Sequence, residues 1–239
     1  DPEIDDGIVY VNTPTRSYLD YTSGQFGVPT VAHNPAGSPA TYGEQLGARI
    51  SNASTANLRA VMTNSGASAM RGITFASNGP MYTKGNVNEL QADEANPTRN
   101  QGVPIMIAGD SINILSSSFN DSQYQTTGSN NNGAARSGAN TITNAVFVTG
   151  NVRTVLGHYG GGAENFFRYL EGGTRTHFYR GSVINLWESK IATGKWDKAT
   201  GTGVQSGYYG APRRNWGWDV NYASSLPPPG VPSVQWDEK

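Results

Sequence analysis

The chain has 239 residues, enough for one sizeable core, and a formal charge of -1 that excludes a general polyanion binder or an acidic solvating tail. Gly at 30, Pro at 13 and charged residues at only 15% argue against long helices and for many short strands divided by turns. Without Cys there is neither a disulfide framework nor a thiolate metal site, which suits a surface or secreted protein.

No stretch approaches the roughly 20 apolar residues of a membrane span. The opening "DPEIDDGIVYVN" carries no initiator Met and no signal peptide. The expectation is a mature or truncated product whose targeting segment is out of view.

Residues 1–70 are rich in Pro, Gly, Ala, Ser and Thr, with one early strand-like run, "GIVYVNT". "GEQLGARISNASTANLRAVM" (43–62) places Leu46, Ile50, Leu58 and Val61 partly on one face, but Gly47 and its Ser and Asn content weigh against a helix. This part reads as a segment that packs onto or caps the rest of the chain.

From residue 71 onward the pattern sharpens. "ITFAS" and "MYTKG" flank the turn Asn78-Gly79-Pro80, and "NVNEL" follows Gly85-Asn86. "VPIMIAG" and "SINILSSS" flank Gly109-Asp110, "TITNAVFVTG" and "NVRTVL" flank Gly150-Asn151, and "THFYRG" and "SVINLWES" flank Gly181-Ser182. Each half is short, β-branched or aromatic and alternating, and Gly followed by a small polar residue supplies a tight bend. The bends recur after 24, 41 and 31 residues, with "TTGSNNNGAARSGAN" (126–140) as a polar insertion. Variable coils joined by bends predict a mainly β chain: a right-handed parallel β-helix, or β-solenoid, over 71–239. The alternative is an antiparallel sandwich with irregular hairpins.

One short helix is expected in "GGGAENFFRYLEGG" (160–173), where Phe166, Phe167 and Leu170 form an apolar face and Glu164 stands four residues before Arg168. The end, "SSLPPPGVPSVQWDEK", reads as an extended Pro-rich tail laid on the surface, since Pro227, Pro228, Pro229 and Pro232 cannot hold a ladder.

Catalytic chemistry has few candidates. Asp5-Asp6 and Asp93-Glu94 are adjacent acids in terminal or loop-like sequence, and neighbours on a strand point to opposite faces. Asp93-Glu94 is a candidate for Ca²⁺, weighed against a solvated bend. Asp110 reads as a corner residue. His33, His158 and His177 lack metal-ligand spacing, no G-x-S-x-G elbow is present, and "GHYGGGAE" lacks the Gly-Lys-Ser/Thr ending of a phosphate loop. The reading is no enzyme, no catalytic or metal residues and no cofactor.

Between Arg153 and Arg214 there are nine basic and four acidic side chains, read as a solvated surface with some structural arginines or as an anion-binding face. The densest aromatic stretch is "GYYGAPRRNWGWDVNY" (207–222). Its candidate ligand-binding residues are Tyr208, Tyr209, Arg213, Arg214, Trp216 and Trp218, rings interleaved with cations as a glycan or single-stranded nucleic acid requires. The competing reading packs Trp216 and Trp218 on the last coil, with Arg213, Arg214 and Asp219 tying down the tail.

"GPMYTKGNVN", "IAGDSINILSSSFND", "NAVFVTGNV", "YGGGAENFFRYLE", "YRGSVINLWESKIATGKW" and "YGAPRRNWGWDVNYASSLPPPGVP" occur in this order over residues 72–232. Together they resemble the carboxy-terminal region of PilX-like, type IV pilus-associated large minor pilins of Gram-negative bacteria. The resemblance implies a β-helical region, exposed outside the cell, with adhesion or DNA capture as its work and no defined active site. The pilin helix of that family is absent from this sequence.

The expectation is therefore an extracellular structural or adhesive component of a pilus-like appendage or surface filament. Its partners would be pilin or other filament subunits, or further copies of itself, with surface glycan or DNA as ligands. The alternatives are a DNA-uptake receptor at a pilus tip and a polysaccharide-binding or polysaccharide-degrading β-helix protein.

Overall fold

The computed structural model describes residues 7–11, 15–16, 44–45, 47–64, 72–89, 102–120, 137–151, 153–154, 160–190, 211–219, 222 and 228–230. Their strands are β1 (Ile8–Val11), β2 (Thr15–Arg16), β3 (Glu44–Gln45), β4 (Ala48–Ser51), β5 (Ile73–Ser77) and β6 (Met81–Lys84). Then come β7 (Ile105–Gly109), β8 (Ile112–Leu115), β9 (Thr141–Asn151), β10 (Phe167–Tyr169), β11 (Thr176–Glu188) and β12 (Arg213–Gly217), with one α-helix, α1 (Thr55–Asn64).

Two sheets carry this mainly β fold. One has six strands in the order β1-β5-β7-β9-β11-β12, the other four in the order β10-β8-β6-β4, and every neighbouring pair in both is parallel. The antiparallel pairing between described strands is confined to β2 with β3. From β4 to β11 the chain visits the two sheets in strict alternation, and from β6 on each strand lands beside the one two places earlier.

The reason is visible in the side-chain rows. Val9, Phe75, Ile107, Phe147 and Val183 pair successively across five strands of the larger sheet. Ala48, Met81, Ile112 and Phe167 do so across the smaller one, as do Ile50, Thr83, Ile114 and Tyr169. These rows run through one continuous buried cluster, which Ile73, Ile105, Ala145 and Tyr179 extend. A strand shifted by one residue would turn its apolar set outward, so the period-2 pattern fixes the register. Phe147 and Phe167 are fully buried, each contributing about 2–3 kcal/mol by area removed from water. Arg49, Tyr82, Asn113 and Arg168 form the intervening row of the smaller sheet.

Two expected bends hold. Asn78-Gly79-Pro80 joins β5 to β6, with the Asp110 amide donating to the Gly79 carbonyl in the next layer at 3.0 Å. Gly109-Asp110 leads from β7 to β8. The buried Asp110 carboxylate accepts bonds from Ser189 Oγ (2.5 Å) and the Lys190 amide (2.8 Å), tying that bend to the end of β11. Gly85 ends β6 with a φ of 77°, and beyond it the chain makes the single bridge Val87–Thr143 rather than a strand.

The other two bends are not bends. Gly150 and Gly181 lie inside continuous strands, β9 and β11. At Gly181, with φ 153°, a Cβ would stand 1.9 Å from the Ala145 carbonyl oxygen; at Gly150 it would stand 2.5 Å from Trp187 Nε1. Both glycines permit close approach by a neighbour, the other standard use of glycine in a strand.

The helix expected over 160–173 is also corrected. It is a single 3-10 turn, Gly162–Asn165, followed directly by β10. Phe167 and Tyr169 then alternate into the core beside Ile112 and Ile114, both buried, whereas a helix this short would not persist by itself. The α-helix stands instead at Thr55–Asn64, within the segment whose Ser and Asn content argued against one. Leu58 and Ala53 anchor it to the core, and Thr55 Oγ1 donates to the Glu89 carbonyl at 2.6 Å.

The first 70 residues supply β1 to one sheet and β4 to the other. Near the other terminus, Pro228 is buried and the Thr74 hydroxyl donates to the Pro229 carbonyl. Tyr222 packs against the Met106, Val146 and Val148 cluster.

Candidate functional site

The strand β12 carries four of the six aromatic and arginine candidates or lies next to them. Arg213, Arg214 and Trp216 are in the strand and Trp218 follows it; Tyr208 and Tyr209 lie outside the described residues. The sequence forms a strand here because Pro212, which has no N–H, precedes the first ladder bond, donated by the Arg213 amide to the Arg175 carbonyl at 2.8 Å. Pairing then runs from Thr176–Arg213 to Arg180–Gly217.

The two tryptophans do different things. Trp216 sits edge-on to Phe167 (5.3 Å), His177 (6.0 Å) and Tyr179 (6.1 Å), so its ring covers the last interior layer. Phe147, Phe167, Tyr169, His177 and Tyr179 complete that layer by T-shaped or tilted contacts. Trp218 is 54% exposed and Trp216 37%. Arg214 places its guanidinium 5.3 Å from the Trp216 ring centre, a cation–π geometry, and Arg213 is exposed. The structure therefore packs Trp216 against the aromatic layer while leaving part of its ring exposed, and brings Trp218 and the two strand arginines to the surface.

Arg180 holds β12 from the side. Its Nη1 donates to the Tyr179 carbonyl (2.7 Å) and the Asn215 carbonyl (2.8 Å), and its Nη2 to Asn215 Oδ1 (3.1 Å). Burial lowers the Arg180 pKa, opposed by the Asp219 carboxylate, while burial raises that of Tyr179. Tyr222 is likewise raised, by burial and then by Asp219.

Behind the aromatic layer lies a buried polar cluster. His177 is 1% exposed, and its Nδ1 stands 2.7 Å from the Tyr169 hydroxyl. Burial first, and then the charge of Arg175, depress its pKa to about 3, so the ring is neutral at ordinary pH. Nε2 has no hydrogen-bond partner and is enclosed by aromatic rings. Arg175 donates to the Glu171 carbonyl (2.7 Å) and lies 5.7 Å from the Tyr169 ring centre. The Glu171 carboxylate accepts bonds from the Ser116 amide (2.7 Å) and hydroxyl (2.6 Å).

Sequence reasoning missed Leu186 and Trp187. Both are exposed at the end of β11, at 67% and 38%. The signal was there: two adjacent large apolar residues in "INLWES" break the alternation, and the register shifts between Asn185 and Trp187. Arg175 and Arg180, counted in the basic stretch, are buried structural arginines.

Asp5, Asp6, Asp93, Glu94, His33 and His158 lie outside the described residues. Among the described residues no three His, Asp or Glu side chains gather where a metal ion could be held, and no helix is long and apolar enough to cross a membrane. Comparison with protein-family models, with curated proteins and with solved structures gave no match.

Proposed function

We propose that the chain is a right-handed parallel β-solenoid that works without catalysis, as an extracellular structural or adhesive component of a bacterial type IV pilus-like appendage or surface filament. The observation that carries this reading is the row Phe75–Ile107–Phe147–Val183, one core position repeated in register across four parallel strands, with Val9 in register beside it on the edge strand. Such a stack fills its interior with side chains, which leaves its flank and its ends as the working surfaces. The PilX-like resemblance supplies the appendage, and the absence of Cys suits that setting.

Antibody raised against the purified chain tests the assignment on cells of the source organism. Gold label on sheared surface filaments is the expected result, and label confined to the cell interior contradicts it.

A second reading, capture of DNA or glycan, is favoured by the Arg214–Trp216 contact beside the exposed Trp218. It requires binding that weakens steeply with salt for DNA and is lost on replacing Arg213 and Arg214 by Ala. Binding to DNA or glycan that persists in that double variant overturns it.

A further inference from the structure

Four rings surround the His177 imidazole, and they come from three strands: Phe167 and Tyr169 of β10, Tyr179 of β11 and Trp216 of β12. In the ladder His177 lies between Thr141 of β9 and Arg214 of β12. The Tyr169 hydroxyl meets Nδ1, while Nε2 is buried with no hydrogen-bond partner. Two cations belong to this surrounding, Arg175 on the same strand and Arg214 in register on β12. Asp219 acts on Tyr179 and Arg180, and the Glu171 carboxylate is engaged by Ser116. A proton on the enclosed ring therefore meets positive charge and aromatic surface, with no carboxylate among the described residues to balance it.

Of the three strands that supply these rings, β12 is the weakly held one. Arg213, Arg214, Trp216 and Gly217 are exposed and Asn215 is half-buried. Its described ladder runs along β11 alone, and the Arg180–Asn215 bonds and the Trp216 ring add to it. By contrast, Phe167 and Tyr169 of β10 are buried, and β11 is paired on both sides. Few buried apolar contacts and a one-sided ladder mark the element that opens at the lowest free energy. Its departure removes Trp216 and the Arg214 charge together and admits water to the imidazole.

We propose that β12 is an acid-released cover: proton uptake by His177 favours a state in which this strand has left the last aromatic layer while the other layers stay stacked. The sign follows from burial. The covered ring takes up a proton only near pH 3 and the uncovered ring near the ordinary 6.5, so release becomes easier as the pH falls below 6.5. The acid form bares Phe167 and Tyr179, an apolar end that the neutral form covers. This inference goes beyond the appendage reading and does not depend on it.

Native-state hydrogen exchange of the full chain at pH 7, 6 and 5, with and without urea below the unfolding transition, tests it. This range lies above ordinary carboxylate titration. The Arg213 amide donates to the Arg175 carbonyl, and in a parallel ladder the Asn215 and Gly217 amides face β11 as well. These amides are expected to exchange through an opening that urea barely promotes, whereas those of β7 and β9 depend steeply on urea. After correction for intrinsic rates, their protection is expected to fall about 25-fold from pH 7 to pH 5. In His177→Gln, which can still bond the Tyr169 hydroxyl but does not titrate, that fall is expected to be absent.

Exchange of the β12 amides with the same urea dependence as β7 and β9 overturns a separate release. Protection unchanged between pH 7 and pH 5, or falling equally in the Gln variant, overturns the part of His177. If the variant does not fold, the wild-type series in pH and urea decides alone.

Discussion

Acidification should destabilise this protein through His177, and the size of the effect can be worked out. The imidazole is surrounded by Phe167 and Tyr169 on one strand, Tyr179 on its own, Trp216 on the next and the nearby charge of Arg175. Folded, it takes up a proton only near 3, whereas the unfolded chain does so near the ordinary 6.5. Between these values unfolding binds a proton, so stability is greatest above 6.5 and declines as the pH falls, levelling below about 3. The expected loss from this group is about 2 kcal/mol by pH 5 and about 3 kcal/mol by pH 4. The assay is urea unfolding at a series of pH values for wild type and His177→Phe. The variant leaves the Tyr169 hydroxyl without its partner and is less stable at neutral pH, but the difference between the two curves should shrink by these amounts on acidification. Parallel curves from pH 7 to pH 4 would refute the buried, neutral histidine.

Other consequences follow from the packing. Trp216→Ala should cost about 2–4 kcal/mol in urea unfolding, because it uncovers Phe167 and Tyr179, while Trp218→Ala should stay within about 0.5 kcal/mol. Gly181→Ala is expected to lose about 3 kcal/mol or more, since its Cβ would meet the Ala145 carbonyl oxygen, and a midpoint unchanged from wild type would contradict that contact. Asp110→Ala should cost about 1–3 kcal/mol and raise amide hydrogen exchange at Lys190, whose N–H it accepts. Exchange at Lys190 that does not change would show the bend is not held from β11.

Much of the sheet structure was legible because interior rows depend on period-2 alternation, which a single sequence displays. "VPIMIAGDSINIL" is an example: β7, a two-residue bend and β8 stand where the alternation and Gly109-Asp110 put them. Where the reading failed, a long-range contact decided. The glycines at 150 and 181 look like the one at 109 in local sequence, and all three admit a close neighbour, Trp187, Ala145 and Met81 respectively; the chain bends after 109, whereas at 150 and 181 the strand continues. "ENFFRY" satisfies helical and strand periods alike over so few residues, and the neighbouring β8 ladder selects the strand. Conversely, "TANLRAVMTN" becomes a helix because Leu58 finds a buried place, despite modest intrinsic propensity. The surface site was legible as composition, a cluster of rings and arginines. The sequence does not distinguish which ring faces inward, because that depends on where β12 starts relative to Thr176.

The most direct test of the architecture is the pattern of backbone nuclear Overhauser contacts between residues 105–109 and 145–149 in a deuterated sample. Contacts that climb together, 106 with 146, 107 with 147, 108 with 148 and 109 with 149, are expected of parallel neighbours. Strong Hα–Hα contacts running in opposite order along the two segments would mean an antiparallel meander, and the stack of in-register layers would not exist.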